Sequence, residues 1–287
     1  MAWAEMPGPG ALRSGEAGAA VALSVEAGWN QVEEDWRFML AAGIGFAGRD
    51  KADGRLVGSA LVLPVGPALA WIGMVLVAAT HRRLGLGTAL FGRCLDACAE
   101  QGLVAGLDAT ELGRPVYERL GFVDVLALRR WRLERPVSGP AAGAGPQVAA
   151  VSPADLAAVA AFDAARSGMS RPAILAHLAT RGPGFVARDA GGALAGYVLS
   201  RNGRTAMQVG PLVARDAATA RALLATATSA ARAPFVLDVP EGQEEIAALL
   251  RDHGASSARG FMRMTRGAPG VLASPAGLFA ISGPELG

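Results

Sequence analysis

The sequence predicts an α/β protein: a mixed, mostly antiparallel sheet with a parallel central pair flanked by helices, built twice in tandem. Three observations predict it. An apolar run at residues 71–78 leads through a glycine turn into an Ala/Leu-rich helix at 88–101, so a buried strand feeds a crossover helix. Hairpin-like strands separated by polar turns precede that run. After a Pro/Gly-rich segment near 136–145, the same order of apolar and turn segments returns in weaker form.

The 287 residues suit two domains, each long enough for its own core. With 52% hydrophobic and 18% charged residues, the chain is not a disordered one. The net charge of +2, with no basic block interleaved with aromatics, argues against nucleic acid as a partner. No apolar run has the length of a bilayer span, and the first residues lack the charged and apolar regions of a signal peptide. A cytoplasmic protein with no membrane partner, a monomer or homodimer, is the expectation. Cys94 and Cys98 lie four apart on one helix and read as buried small hydrophobes. His81, His177 and His253 are scattered, so no metal site is expected.

In chain order, a short strand is expected near 11–13 and a helix at 17–27, ended by Gly28. A second helix follows over 29–40, with Asn30 as its cap and Glu33 completing a capping box. Val32, Trp36 and Met39 share a face, and Trp36 reads as core. Strands at 43–48 and 56–65 are joined by the polar turn 49–54, and the central strand starts near 68. Beyond the crossover helix, 102–110 reads as a strand parallel to the central one. A short helix within 113–122 has Pro115 in its first turn and Gly121 at its C-cap. Residues 123–133 are then expected to close the first sheet, with Arg129, Arg130 and Arg132 at its rim.

The turn between the central strand and the crossover helix carries chemistry. A helix start leaves backbone N–H groups unpaired, and the helix dipole adds partial positive charge there. Gly85 and Gly87 let an anion approach those amides closely, and Arg82 and Arg83 add fixed charge. The turn reads as a cradle for a pyrophosphate, or else as a strand-to-helix crossing with glycines for packing. It lacks the third glycine of a G-x-G-x-x-G dinucleotide fingerprint and the G-K-S/T of a P-loop. What it does match is R-x-x-G-x-G, from Arg82 to Gly87, directly after a strand.

That hexapeptide resembles the acetyl-CoA loop of the GNAT acetyltransferase superfamily, and the Leu120-Gly121-Phe122 ending of the short helix is a second family-like motif. The resemblance covers about residues 10–135, with Ala79 standing where many members have proline. It implies that Arg82, Arg83, Leu84, Gly85, Leu86, Gly87 and Thr88 hold the coenzyme's diphosphate. It implies that the backbone of Val75, Leu76 and Val77 holds the pantetheine arm. Tyr117, in the short helix, would be the general acid that protonates the departing thiolate. Trp29 and Asn30, with Glu34, Asp35 and Asp108, would border the acceptor, and the last three are candidates for the base.

The implied domains are a catalytic GNAT domain at 1–136, a linker at 137–146 and a second GNAT-like domain at 147–287. In the second, the turn becomes Arg215-Asp216-Ala217, without glycine, and Leu250 stands in place of Tyr117. Asp216 would repel a pyrophosphate and suits a plain N-cap. The second domain therefore reads as degenerate, shaping the acceptor pocket. The implied activity is transfer of an acetyl group from acetyl-CoA to a primary amine of a small molecule, without a metal. A protein or peptide acetyltransferase and a non-enzymatic acyl-CoA sensor are the alternatives.

Overall fold

The computed structural model describes residues 9–138, 146–267, 272 and 276–287. The expected linker at 137–146 therefore lies mostly outside the described residues. The chain forms two compact units, residues 1–107 and 108–287.

The first unit begins with β1 (Gly10–Leu12), α1 (Ala17–Glu26) and α2 (Glu33–Ala42). Strands β2 (Ile44–Arg49), β3 (Leu56–Pro64) and β4 (Leu69–Val77) follow. β1 to β4 pair antiparallel in sequence order. α3 (Leu86–Glu100) then crosses over to β5 (Val104–Thr110), which pairs parallel with β4. β3 is buried along nearly its whole length, as its continuous apolar run requires. Trp36, Leu61, Trp71 and Leu90 have no exposed surface, and each such side chain contributes about 1.5–3 kcal/mol. Trp36 also donates its indole N–H to Ser24 Oγ at 3.0 Å, tying α2 to α1.

Two strand glycines set the height of α3 above the sheet. A Cβ on Gly48 would lie 2.5 Å from Leu86 Cδ1, and one on Gly58 would lie 2.9 Å from both Leu86 Cδ2 and Leu90 Cδ1. Without side chains there, the first turn of α3 sinks onto β2 and β3. Cys94 and Cys98 are buried on the same helix. Burial pushes both thiols up, Cys98 to about 11, so they are packing groups without thiolate character.

The second unit opens with α4 (Arg114–Arg119) and β6 (Val123–Leu133). β7 (Gln147–Ala150), α5 (Leu156–Ser167) and α6 (Pro172–Leu178) lead to β8 (Phe185–Arg188) and β9 (Leu194–Asn202). β10 (Met207–Ala214), α7 (Ala217–Ser229), β11 (Phe235–Pro240) and α8 (Glu244–Asp252) repeat the strand–helix–strand–helix order of β4 to α4. β12 (Ser256–Arg266) and β13 (Leu278–Ala280) complete it. The strand order is β12-β6-β11-β10-β9-β8-β7, with β13 added on β10. Among the described residues of this unit, the parallel pair is β10 with β11.

One strand departs from expectation. β6 does not close the sheet of β1 to β5; it runs between β11 and β12, antiparallel to both. Its arginines follow it: Arg130 is not at a rim but forms a two-pronged pair with buried Asp238, both contacts at 2.7 Å. The converse pair joins Asp108, on β5, to Arg263 on β12 at 2.9 and 3.0 Å, both side chains buried. Each repeat's acid on the strand after its crossover helix is thus held by an arginine from the strand that follows the other repeat's second post-crossover element, β6 after α4 and β12 after α8. The packing boundary accordingly falls at Leu107–Asp108, earlier than the boundary between the sequence repeats.

Candidate functional site

The turn after β4 is built to keep its helix start open. Past Trp71, β4 bulges: Gly73 faces Leu61 and Leu76 faces Ser59, so Met74 and Val75 share one opposing residue. Met74 takes φ +54°, and Ser59 Oγ donates to its carbonyl at 2.8 Å. The parallel register with β5 covers only the pairs from Leu69 with Val104 to Trp71 with Gly106. Along the end of β4, Leu76 is buried while Val75 and Val77 are half-buried on the other face.

A single 3₁₀ turn, Ala79–His81, follows. Its first amide, Ala79 N–H, donates to Glu26 of α1, and His81 Nε2 lies 3.2 Å from Asp50 Oδ2. Arg82 donates from Nε to the Val77 carbonyl at 3.0 Å and leaves its exposed guanidinium beside the turn. Arg83 then takes φ +62° and Gly85 takes φ +89°. A non-glycine residue in the left-handed region costs on the order of 1–3 kcal/mol and is found mostly where a backbone is held for function. α3 starts at Leu86, two residues before the expected Thr88, because Gly85 is its N-cap. No side chain caps it. Leu86 is buried against Gly48 and Gly58, Gly87 is half-buried, and Thr88 is exposed. An uncapped first turn beside an arginine can receive a phosphate on its amides.

The α1–α2 corner is built differently from its expected form. The cap of α2 is Val32, whose N–H donates to Asp35 Oδ2 at 3.0 Å; the expected Asn30–Glu33 box is not formed. Asn30 is buried instead, Trp29 is half-buried with its amide on the Ser24 carbonyl at 2.8 Å, and Glu34 is exposed. Asp35 is 3% exposed and serves the helix start, which weighs against it as a base. The residue that sequence reasoning passed over is Gln31: it is buried, and its Oε1 has no hydrogen-bond partner among the described residues.

In the second unit, Tyr117 sits in the middle of α4, half-buried. Its ring rests at 6.0 Å from that of Phe122, and a Cβ on Gly113 would come within 3.0 Å of its Cε2. Gly121 takes φ +83° and ends the helix as expected. Asp108, by contrast, is committed to Arg263 and buried, so it is not poised to accept a proton from a substrate. The equivalents in the second repeat are closed. Asp216 accepts from Thr219 N–H at 2.8 Å and caps α7, and that amide holds its carboxyl below the usual range. Leu250 is fully buried in α8. Among the described residues no group of His, Cys, Asp and Glu could hold a metal ion, and no helix is long and apolar enough to cross a membrane.

Residues 21–122 match the Acetyltransferase (GNAT) family, and residues 159–280 match an Acetyltransferase (GNAT) domain. Together these matches span most of the chain. The chain belongs to the GNAT acetyltransferase family. It is a tandem GNAT N-acetyltransferase, with both repeats carrying the family pattern. Among its relatives is an uncharacterized N-acetyltransferase of Bacillus subtilis (strain 168), YitH, 26% identical over 76% of this chain and 77% of that one. The fold is shared with a putative acetyltransferase from Pyrococcus horikoshii, at a TM-score of 0.81 and 21% identity over 97% and 95% of the two chains. It is shared also with a tandem GNAT protein from the clavulanic acid biosynthesis pathway, at 0.66 and 19% identity over 90% and 97%. The GNAT match at 21–122 includes the open turn and the helix bearing Tyr117, while that at 159–280 includes the Asp216-capped turn.

Proposed function

We propose that the first repeat binds acetyl-CoA and transfers its acetyl group to a primary amine of a small molecule. The observation that carries this reading is the uncapped start of α3, presented by left-handed backbone at Arg83 and Gly85 after a bulged strand. The residues fit the coenzyme's diphosphate: open amides at Gly85 to Thr88, with the charges of Arg82 and Arg83 alongside. The parallel register with β5 ends at Trp71, before the bulge at Met74 and Val75, and the backbone of Val75 to Val77 beyond it is assigned to the extended arm.

Acetyl-CoA supplies the acyl group as a thioester. The amine must arrive neutral, whereas a free alkylamine has a pKa near ~10.4, so its proton passes to a base-linked water or to solvent. As the nitrogen–carbon bond forms and the carbon–sulfur bond breaks, the Tyr117 hydroxyl gives its proton to the sulfur, and the proton shed by the new amide nitrogen passes through water to restore the tyrosine. Packing of its ring by Phe122 and Gly113 limits where that hydroxyl can point. Trp29, Asn30 and Glu34 are proposed to face the acceptor. The test is thiol release from acetyl-CoA with a panel of small amines, polyamines and peptides. Release with a small amine is the expected result. Release with peptides alone, or binding without any release, would overturn the reading.

A further inference from the structure

Both repeats part their central strands in the same way. β4 and β5 pair in parallel over three residues before β4 bulges. β10 and β11 pair in parallel only at Met207 with Phe235 and Gln208 with Val236, after which β10 shifts register between Val209 and Leu212. In the second repeat the parting is filled. β13 lies antiparallel along β10, with Leu212 opposite Ala280 and Val213 opposite Leu278. Ala214 N–H donates to the Gly277 carbonyl at 2.9 Å. On the other side, Ile281 N–H donates to the Asp238 carbonyl of β11 at 3.0 Å, and Gln243 Nε2 donates to the Leu278 carbonyl at 2.8 Å.

The filling is specific in shape and charge. Gly210 takes φ +149°, and a Cβ there would lie 2.0 Å from the Ile281 carbonyl oxygen, so only glycine leaves room. Leu278, Ala280 and Ile281 are fully buried. Two buried arginines grip the segment beyond them: Arg171 donates to Ser282 Oγ at 2.9 Å, and Arg201 pairs with Glu285. Main-chain bonds along an extended segment, with side-chain pockets and a charged clamp, are how a sheet recognises a peptide strand.

We propose that the parting between β10 and β11 is a strand-binding groove, and that residues 277–286 are its resident peptide ligand, bound in cis and releasable without unfolding the repeat. The inference rests on the geometry of the second repeat and is independent of the chemistry proposed for the first.

Ile281→Pro tests it, because proline removes the N–H given to Asp238 while leaving β10 and β11 unaltered. Exchange of the Ala214 amide, read by hydrogen–deuterium exchange, should then rise by about a hundred-fold, while amides pairing β9 with β10 keep their protection. A fluorescent peptide with the sequence of residues 276–287 should bind this variant, one per chain, and leave the unaltered chain unbound. Binding to neither chain or to both alike, or loss of β9–β10 protection together with that of Ala214, would overturn the proposal. Should the variant not fold, the unaltered chain decides alone. Ala214 and Ile281 amides are expected to exchange as a pair, at least about ten-fold faster than those between β9 and β10. Equal rates would make the segment an ordinary strand of the sheet and end the proposal.

Discussion

Two helices in this chain follow a bulged central strand, and their first turns are built in opposite ways. α3 begins at a glycine in the left-handed region, preceded by a left-handed arginine, with no side chain on its amides. α7 begins at Asp216, whose carboxylate takes the Thr219 amide. The same four unpaired amides exist at both starts. In one they remain open beside two arginines; in the other the chain supplies its own anion. The contrast extends to the strands, parted at β4 and filled by β13 at β10. It extends also to the helices, where half-buried Tyr117 answers to fully buried Leu250. A closed copy of a fold therefore need not be damaged. It can be completed by its own residues, a carboxylate at the helix start and a strand in the parting.

The largest effect should come from the helix pair. Tyr117→Phe is expected to lower kcat by about 10²- to 10⁴-fold with acetyl-CoA affinity unchanged, as loss of a general acid does. Leu250→Tyr should gain no activity and should destabilise by about 1–3 kcal/mol from overpacking, read by denaturant midpoint. Unchanged turnover in Tyr117→Phe would remove the hydroxyl from the reaction.

Next come the reciprocal ion pairs. Asp108→Asn and Asp238→Asn each leave a buried or largely buried arginine without its carboxylate, and each should cost about 3–5 kcal/mol. Activity per folded molecule should persist in Asp108→Asn. A selective loss of turnover with normal stability would instead restore Asp108 as a base.

Gly85→Val tests the open turn. A β-branched residue at φ +89° is strained by about 1–3 kcal/mol, which should weaken acetyl-CoA binding by about ten- to a hundred-fold in calorimetry. Normal affinity would place the diphosphate elsewhere.

Asp216→Ala should have the smallest effect, about 1 kcal/mol from the lost cap. Its bond to the Thr219 amide lowers the folded pKa below the usual 3.8. The cap's contribution is therefore full above the unfolded value and lost as pH falls through the lower folded one, so wild type and variant should converge in stability in strong acid. Acetyl-CoA should still bind at one site per chain in the variant; two sites would break the contrast between the repeats.

Much of this was legible because it is local. Apolar runs, polar turns and an Ala/Leu-rich stretch placed the strands and helices of the first repeat, and R-x-x-G-x-G marked the turn, whereas β7, α5, α6, β8 and β12 of the second were not placed. Asp216 as a cap and the cysteines as packing groups followed from neighbours alone. Misjudged boundaries have physical reasons. α3 starts early because Gly85 is itself the cap, and Asn30 lost the capping role to Val32 and Asp35 because it is buried in the corner. The partner of β6 was illegible, since an apolar strand states that it will pair and not with which strand. Arg130 was read as a rim residue for the same reason. The bulge at Met74 left one trace, Ser59 within an otherwise apolar strand, a hydroxyl that had to find an acceptor.

The reciprocal pairing of Asp108 with Arg263 and of Asp238 with Arg130 has a consequence for biosynthesis. When residue 136 is added to the growing chain, Asp108 has been made and its guanidinium lies more than a hundred codons ahead. The first repeat therefore waits on translation of β12 for its last buried partner. A gene cut between the repeats would yield two polypeptides, each missing both a cation and an anion that the other carries.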